Sequence, residues 1–313
     1  QQWAHEAAKV GIDIAPDWTA ASGAIVSGCH GVAATYAAVS SSPESFRYLC
    51  RRPMLLISDE IHHCGDDQSW GRGMLDAFGG IAKSRIAITG TPWRTSGEKI
   101  PFVSYDEFGI LSRDVSFGYA EALDAGISRP LFFPAFEGRM KWYTRGQERI
   151  ATFADSIAKE EDGKRLRTAL MADGDWMRRV LIEADRKLTL IRESHADAGG
   201  LILAMDQRHA QDIADALRKL TNRTAVVVTS DNADASALID RFRDSDERWI
   251  IAVRMVSEGV DIKRLRVGVY ATNYVTEMFF TQAVNRLSRT IPGLDYQAAF
   301  WFIPDDPRIV ELA

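Results

Sequence analysis

Apolar runs of strand length alternate with segments of helical period along this 313-residue chain, and that alternation restricts the fold more than any other feature. The runs are Gly31 to Tyr36, Met54 to Ser58, Arg85 to Thr89, Leu201 to Met205, Ala225 to Val228, Trp249 to Val253, Val267 to Ala271 and Ala298 to Ile303. Most of them read as near-continuous apolar stretches, as strands buried on both faces do, and such strands belong to a mostly parallel sheet covered by helices. Helical segments fit between most of them, for example Gln207 to Leu220 and Ala235 to Arg243. From about 147 to 196 no strand candidate occurs; this stretch reads as two or three helices, and in the last of them Trp176, Val180, Ala184, Leu188 and Ile191 recur on one face. The expectation is an α/β chain of two lobes with mostly parallel sheets, 1–130 and 132–313. The helical segment 147–196 opens the second lobe, and Pro130 and Pro134 bracket the hinge. A length of 313 residues at ~150 per domain agrees with two lobes.

Composition narrows the class without naming a partner. A chain with 46% apolar and 26% charged residues is neither disordered nor collagenous. The formal net charge of −5 gives no sign of nucleic acid, which usually shows as a basic excess. Three cysteines, Cys29, Cys50 and Cys64, make neither a disulfide framework nor a four-ligand zinc site, so a reducing, cytoplasmic setting is the default expectation. No apolar stretch approaches the ~18 residues of a membrane span, and no leader pattern is present in these residues.

Four segments carry chemistry. In Leu55-Leu56-Ile57-Ser58-Asp59-Glu60-Ile61-His62-His63 a buried strand runs into two adjacent carboxylates, and ligands of open α/β sheets bind at that carboxyl edge. An Asp there can hold Mg²⁺ through its waters, and a neighbouring Glu can orient and deprotonate an attacking water. Loop solvation explains the same residues equally simply. His62, His63 and Cys64 lack the H-E-x-x-H spacing of a helical zinc site. The second segment, Ile88-Thr89-Gly90-Thr91-Pro92, leaves the following strand about thirty residues after the acidic pair and doubles as an ordinary turn. The third is Ser257-Glu258-Gly259-Val260-Asp261. In the fourth, Gln282, Arg286 and Arg289 are spaced by four and three, which places all three on one face of a helix. Phe279, Phe280, Ala283, Val284 and Leu287 make that helix too apolar for full exposure, so the arginines are expected to line a cleft.

In this order and strand context the four segments resemble the superfamily-2 DExD/H-box helicases and translocases, across almost the whole chain. Asp59-Glu60-Ile61-His62 is similar to motif II, Thr89-Gly90-Thr91 to motif III, Gly259 and Asp261 to motif V, and Gln282, Arg286 and Arg289 to the QxxGRxxR of motif VI. Thr35-Tyr36 resembles motif Ib, and Gly118-Tyr119-Ala120-Glu121-Ala122-Leu123 looks more like restriction- and repair-type DNA translocases than spliceosomal RNA helicases. The resemblance implies two RecA-like lobes that hydrolyse ATP in the cleft between them. Asp59 would position Mg²⁺ and Glu60 would activate water. Gln282 would act in catalysis beside the motif VI arginines, and Gly259 and Asp261 would bind the nucleotide. Arg286 and Arg289 would act as arginine fingers, an effect worth ~10³–10⁵ in rate in related phosphoryl transfer. His62, Thr89 and Thr91 would couple hydrolysis to movement, and Thr35, Thr229 and Ser257 would grip one strand of nucleic acid, DNA in preference to RNA.

Two departures stand out. Asn285 occupies the motif VI glycine position. The P-loop is missing: the one Gly-Lys pair, Gly163-Lys164, is flanked by Ala158 and Arg165 where G-x-x-x-x-G-K-[ST] needs Gly and Ser or Thr. With Gln1 opening inside a helical segment, the expectation is a chain that begins mid-domain, an incomplete first lobe, and no ATP turnover by these 313 residues alone. Two classes stay open: a piece of an ATP-driven DNA motor, with an RNA helicase as its variant, or a nucleic-acid-binding or scaffolding module that works without ATP.

Overall fold

The fold is known from a computed structural model, and the structure describes residues 2–15, 17–25, 27–51, 53–66, 68–82, 84–90, 99–107, 111–144, 146–229, 234–253 and 262–313. The chain divides into two compact units, Gln1–Ser116 and Phe117–Ala313. The segment Pro130 to Pro134 therefore lies inside the second unit, where Leu131–Phe132 forms a short strand of the sheet.

The first unit contains helix α1 (Gln2–Ala8), strands β1 (Ile14–Ala15) and β2 (Gly31–Val32), helices α2 (Tyr36–Ser41) and α3 (Pro43–Leu49), strand β3 (Leu55–Ser58), helices α4 (His63–Asp66) and α5 (Gln68–Phe78), and strand β4 (Ser84–Ala87). β1 pairs with β2 and β3 with β4, both in parallel. The run expected as one strand from Gly31 to Tyr36 stops at Val32, because Thr35 takes an extended conformation and its hydroxyl accepts the Ala38 N–H as the cap of α2 (3.2 Å). The strand leading to the acidic pair is not buried throughout: Leu55 and Ile57 are exposed and Ser58 is buried. Among the described residues β3 has a single partner strand, so burial on both faces is not available to it. The unit's core gathers Trp18, Phe46, Ile61, Met74 and Phe78 around α2, α3 and α5.

The second unit begins with helix α6 (Tyr119–Asp124), strands β5 (Leu131–Phe132) and β6 (Ala135–Phe136), and strands β7 (Arg139–Thr144) and β8 (Gln147–Thr152). Helices α7 (Lys159–Ala169) and α8 (Asp175–Arg192) follow, then β9 (Gly199–Ala204), α9 (Gln207–Thr221), β10 (Ala225–Val228), α10 (Ala235–Arg243), β11 (Trp249–Val253), β12 (Leu265–Ala271), α11 (Glu277–Val284), β13 (Ala299–Pro304) and α12 (Pro307–Val310). Seven strands form one parallel sheet in the order β10-β11-β9-β12-β13-β5, with β6 also paired to β13. Every residue of β9, β11 and β12 is buried, as the continuous apolar runs require. This is the mostly parallel α/β architecture expected from the alternation.

The segment 147–196 is not wholly helical. Its first six residues are β8, antiparallel to β7 in register Lys141↔Ile150 and Tyr143↔Glu148. Met140, Trp142 and Ala151 point inward to join Leu166, Leu170 and Trp176 in the main core, and this period-2 burial stabilises a hairpin where helix was expected.

Candidate functional site

In the first unit the parallel register Ser58↔Ala87 brings the carboxyl ends of β3 and β4 level, so the residues that leave the two strands meet. Backbone bonds extend the pairing past both strands: Ile88 N–H donates to the Ser58 carbonyl (2.8 Å) and Ile61 N–H to the Ile88 carbonyl (3.1 Å). The chain turns sharply at Glu60, whose φ of +48° is in the left-handed region that side-chain-bearing residues seldom adopt. Such a conformation persists where the surroundings over-determine it. Here the flanking backbone bonds do so, together with the Tyr36 hydroxyl, which donates to the Asp59 carbonyl, and the Trp3 indole N–H, which donates to Asp59 Oδ2 (3.0 Å). Trp3 is a site-shaping residue that motif spacing did not reveal, while Tyr36 belongs to the pair read above as similar to motif Ib.

Glu60, His62 and Thr89 form a connected group. Thr89 Oγ1 lies 2.8 Å from His62 Nδ1 and 3.5 Å from Glu60 Oε2, and His62 Nδ1 is 3.3 Å from the same carboxylate oxygen. With the Thr89 hydroxyl directed at Glu60, the 2.8 Å contact requires the proton on Nδ1 of His62. The histidine is buried while the Glu60 side chain stays half exposed, so the rigid partner is inside and the carboxylate faces outward. Hydrogen bonding from His62 holds the Glu60 carboxyl below the ordinary carboxylate range; burial opposes this, and the Gly90 backbone adds to it. Behind the turn, burial pushes the Cys64 thiol up to about 12 and raises the Tyr36 phenol well above its usual value, which makes both structural groups at neutral pH.

Asp59 is an exposed oxygen donor at the strand edge, with one carboxylate oxygen occupied by Trp3. That donor set suits Mg²⁺, which keeps most of its waters and takes one or two carboxylates together with substrate phosphates. Among the described residues no group of three or more His, Cys, Asp or Glu is arranged to hold a metal.

In the second unit the expected single helical face carrying Gln282, Arg286 and Arg289 does not form. α11 ends at Val284, a 3₁₀ turn spans Asn285–Leu287, and Arg289 sits in a β-bridge with Ser128. The cause lies in competing donors. Trp301 Nε1 takes the Val284 carbonyl (3.1 Å), and Ser288 N–H turns back to Asn285 (3.2 Å) instead of continuing the helix. Arg129 then fixes the segment: its N–H donates to the Ser288 carbonyl (2.6 Å) and its guanidinium to the carbonyls of Arg289, Lys263 (2.8 Å) and Leu265 (3.2 Å). Burial, with Arg266 nearby, lowers the Arg129 pKa to about 10, still far above neutral. No motif pointed to Arg129, and its burial is visible only in the folded chain. Thr229, expected to grip a strand, is only 8% exposed just beyond β10, and Thr35 is engaged as the α2 cap. Thr91, Ser257, Gly259 and Asp261 lie outside the described residues.

No family model matches the chain. It is 42% identical over 319 residues to the uncharacterized protein Rv2917 of Mycobacterium tuberculosis, covering 100% of this chain and 52% of that protein. It is 39% identical over 319 residues to the uncharacterized protein ML1624 of Mycobacterium leprae, covering 100% of this chain and 53% of that protein. The chain thus spans about half the length of the curated relatives it matches. Among solved structures, a fragment assigned to the HsdR subunit of a type I restriction enzyme from Vibrio vulnificus superposes with a TM-score of 0.62 at 15% identity, over 92% of this chain and 50% of that one. The L327V form of Dbp5 from S. cerevisiae, bound to RNA and ADP BeF3, gives 0.52 at 12% identity, over 100% of this chain and 71% of that one. The chain therefore shares the α/β fold of helicase-type domains.

Proposed function

We propose that this chain is part of an ATP-dependent nucleic-acid motor, a helicase or translocase acting on DNA in preference to RNA. The observation that carries the reading is the Glu60–His62–Thr89 group at the joined carboxyl ends of β3 and β4. A carboxylate held ionised by a buried histidine, on a strained turn beside an exposed aspartate, suits the orientation and deprotonation of an attacking water. Mg²⁺, when bound, would neutralise phosphate charge beside Asp59. The Thr89 hydroxyl bridges His62 and Glu60, so a shift of the strand-exit segment 88–90 moves the carboxylate; that is a physical route for coupling hydrolysis to movement. By family resemblance Gln282, Arg286 and Arg289 would supply hydrogen bonds and positive charge to the γ-phosphate. The DNA preference rests on the resemblance of Gly118 to Leu123 to restriction- and repair-type translocases, and RNA is the second reading.

Phosphate release by the full-length protein, measured with single-stranded DNA or RNA as activator, tests the proposal. Nucleic-acid-stimulated turnover is expected, larger with DNA, and Glu60→Gln should lower it by ~10²–10⁴ while strand binding persists. The 313 residues alone, with no G-x-x-x-x-G-K-[ST] sequence, should release none. Binding without turnover in the full-length protein would favour a non-catalytic module, and undiminished turnover in Glu60→Gln would remove Glu60 from the chemistry.

A further inference from the structure

A cavity of about 550 Å³ opens at the amino edge of the second unit's sheet, where the register Ala225↔Trp249 sets the starts of β10 and β11 level. None of the residues assigned above to nucleotide or strand lines it. Its wall carries four arginines: Arg192 from the end of α8, Arg223 from the turn into β10, Arg241 from α10 and Arg248 from the approach to β11. One carboxylate, Glu247, shares that wall, in a chain whose net charge is −5.

The acidic partners do not match this charge. Glu247 accepts from Arg241 (2.9 Å). Asp185, buried and outside the cavity wall, accepts from Arg248 Nε (2.7 Å) and from the Trp249 indole (2.9 Å), and stands 4.0 Å from Arg223 Nε. One carboxylate thus serves two guanidiniums. Arg192 makes no ion pair among the described residues: it donates to the Asp246 carbonyl, and its Nε–H is buried without a hydrogen-bond partner there. Burial holds the Arg192 pKa below the ordinary arginine value, and repulsion from Arg248 and Arg223 adds to this, while the exposed Asp246 and Asp197 oppose it. An anion in the cavity would relieve the repulsion, and one of its oxygens would satisfy the unmet donor.

We infer that this cavity binds a compact anion of the phosphate class, held chiefly by Arg192 and Arg223, with Arg248 and Arg241 supplying the surrounding positive charge. A planar guanidinium matches phosphate oxygens in pairs, and a volume of about 550 Å³ lies in the range of small-ligand pockets. An oligophosphate brings several negative charges into that volume, whereas an acidic peptide spreads its carboxylates along a chain. The inference does not depend on the motor reading, because no member of the Glu60–His62–Thr89 group takes part. A free oligophosphate and the phosphorylated end of a strand offer the same chemistry, and the test separates them.

Calorimetric titration of the full-length protein with sodium tripolyphosphate, without divalent cations, is the test. Saturable binding is expected, weakening as salt rises. Arg192→Gln and Arg223→Gln should each weaken it about tenfold or more. Arg223 is half exposed, and its removal leaves Asp185 paired with Arg248, so that variant should keep the wild-type circular dichroism. Phenylglyoxal labelling read by mass spectrometry should find Arg223 modified in the free protein and protected by tripolyphosphate. Displacement by a terminally phosphorylated oligothymidylate, but not by its hydroxyl-ended form, would support the inference with a strand end as the source; displacement by neither would support it with a free anion. Equal displacement by both strands would make the site a general strand surface and overturn it, as would equal displacement by hexaglutamate. Undiminished binding in both variants with Arg223 unprotected would place the anion elsewhere, overturning the assignment and leaving the motor reading intact. Absence of tripolyphosphate binding by the wild type would overturn it too.

Discussion

At the scale of single residues, the turn at Glu60 shows how backbone strain and side-chain chemistry are combined. A non-glycine residue at φ +48° is held there by bonds made by its neighbours, and the same turn delivers its carboxylate to His62 and Thr89. A second histidine reports on stability. His209 is buried, accepts the Met205 N–H at Nδ1 (3.1 Å) and contacts the Leu170 carbonyl through Nε2 (2.6 Å), so the neutral Nε2–H form joins the end of α7 to the start of α9. Burial lowers its pKa below the ordinary histidine value, and His195 is lowered for the same first reason. Between the folded and unfolded values the unfolded chain binds protons that the folded chain refuses, so stability falls as pH drops through that window and is independent of these groups above it. Thermal midpoints should therefore decline between pH ~7 and ~5, and His209→Gln should flatten part of that decline. An identical slope in the variant would show that His209 does not titrate as described.

At the scale of elements, the sheet of the second unit depends on two glycines that make room for tryptophans. A Cβ at Gly268 in β12 would lie 2.3 Å from the Trp301 ring, and one at Gly200 in β9 would lie 2.2 Å from Trp249. Both rings are fully buried and anchored by their indole N–H groups, Trp301 on Val284 and Trp249 on Asp185 (2.9 Å), so neither can withdraw cheaply. Gly268→Ala should cost ~1–3 kcal/mol or more in urea unfolding, and a neutral result would mean that the core repacks freely. Because Trp301 also sets the end of α11, the same substitution should disturb the Arg286 segment. The elements misread from sequence have identifiable causes. Arg139 to Thr152 carries a period-2 pattern, but its charged residues and the helical period downstream concealed it. The spacing of Gln282, Arg286 and Arg289 fits a helix, and nothing local reveals that Trp301 and Arg129 bend the chain away from one.

At the scale of the whole molecule, the buried apolar residues among those described, Ala122 apart, form two clusters, one confined to the first unit and one to the second. Two separate cores imply two cooperative transitions. Calorimetry should resolve them, and Gly268→Ala should lower only the one belonging to Phe117–Ala313; a single transition shifted as a whole would refute that independence. Several features were fixed by the order of residues alone. Strands that read as continuous apolar runs had to lie in a parallel sheet, because only burial on both faces makes use of them, and β9, β11 and β12 are placed accordingly. The positions of Asp59, Glu60 and Thr89 at strand ends were equally legible: Asp59 and Glu60 follow the run Met54 to Ser58, and Thr89 closes the run Arg85 to Thr89. Their contact was not. About thirty residues separate Glu60 from Thr89, and it is the parallel pairing of β3 with β4 that brings the two exits level. Left-handed Glu60 and the carbonyls held by Arg129 were decided in the same way, by hydrogen bonds between segments far apart in sequence. Local propensity and spacing cannot register such bonds, because their energy exists only once the chain has folded.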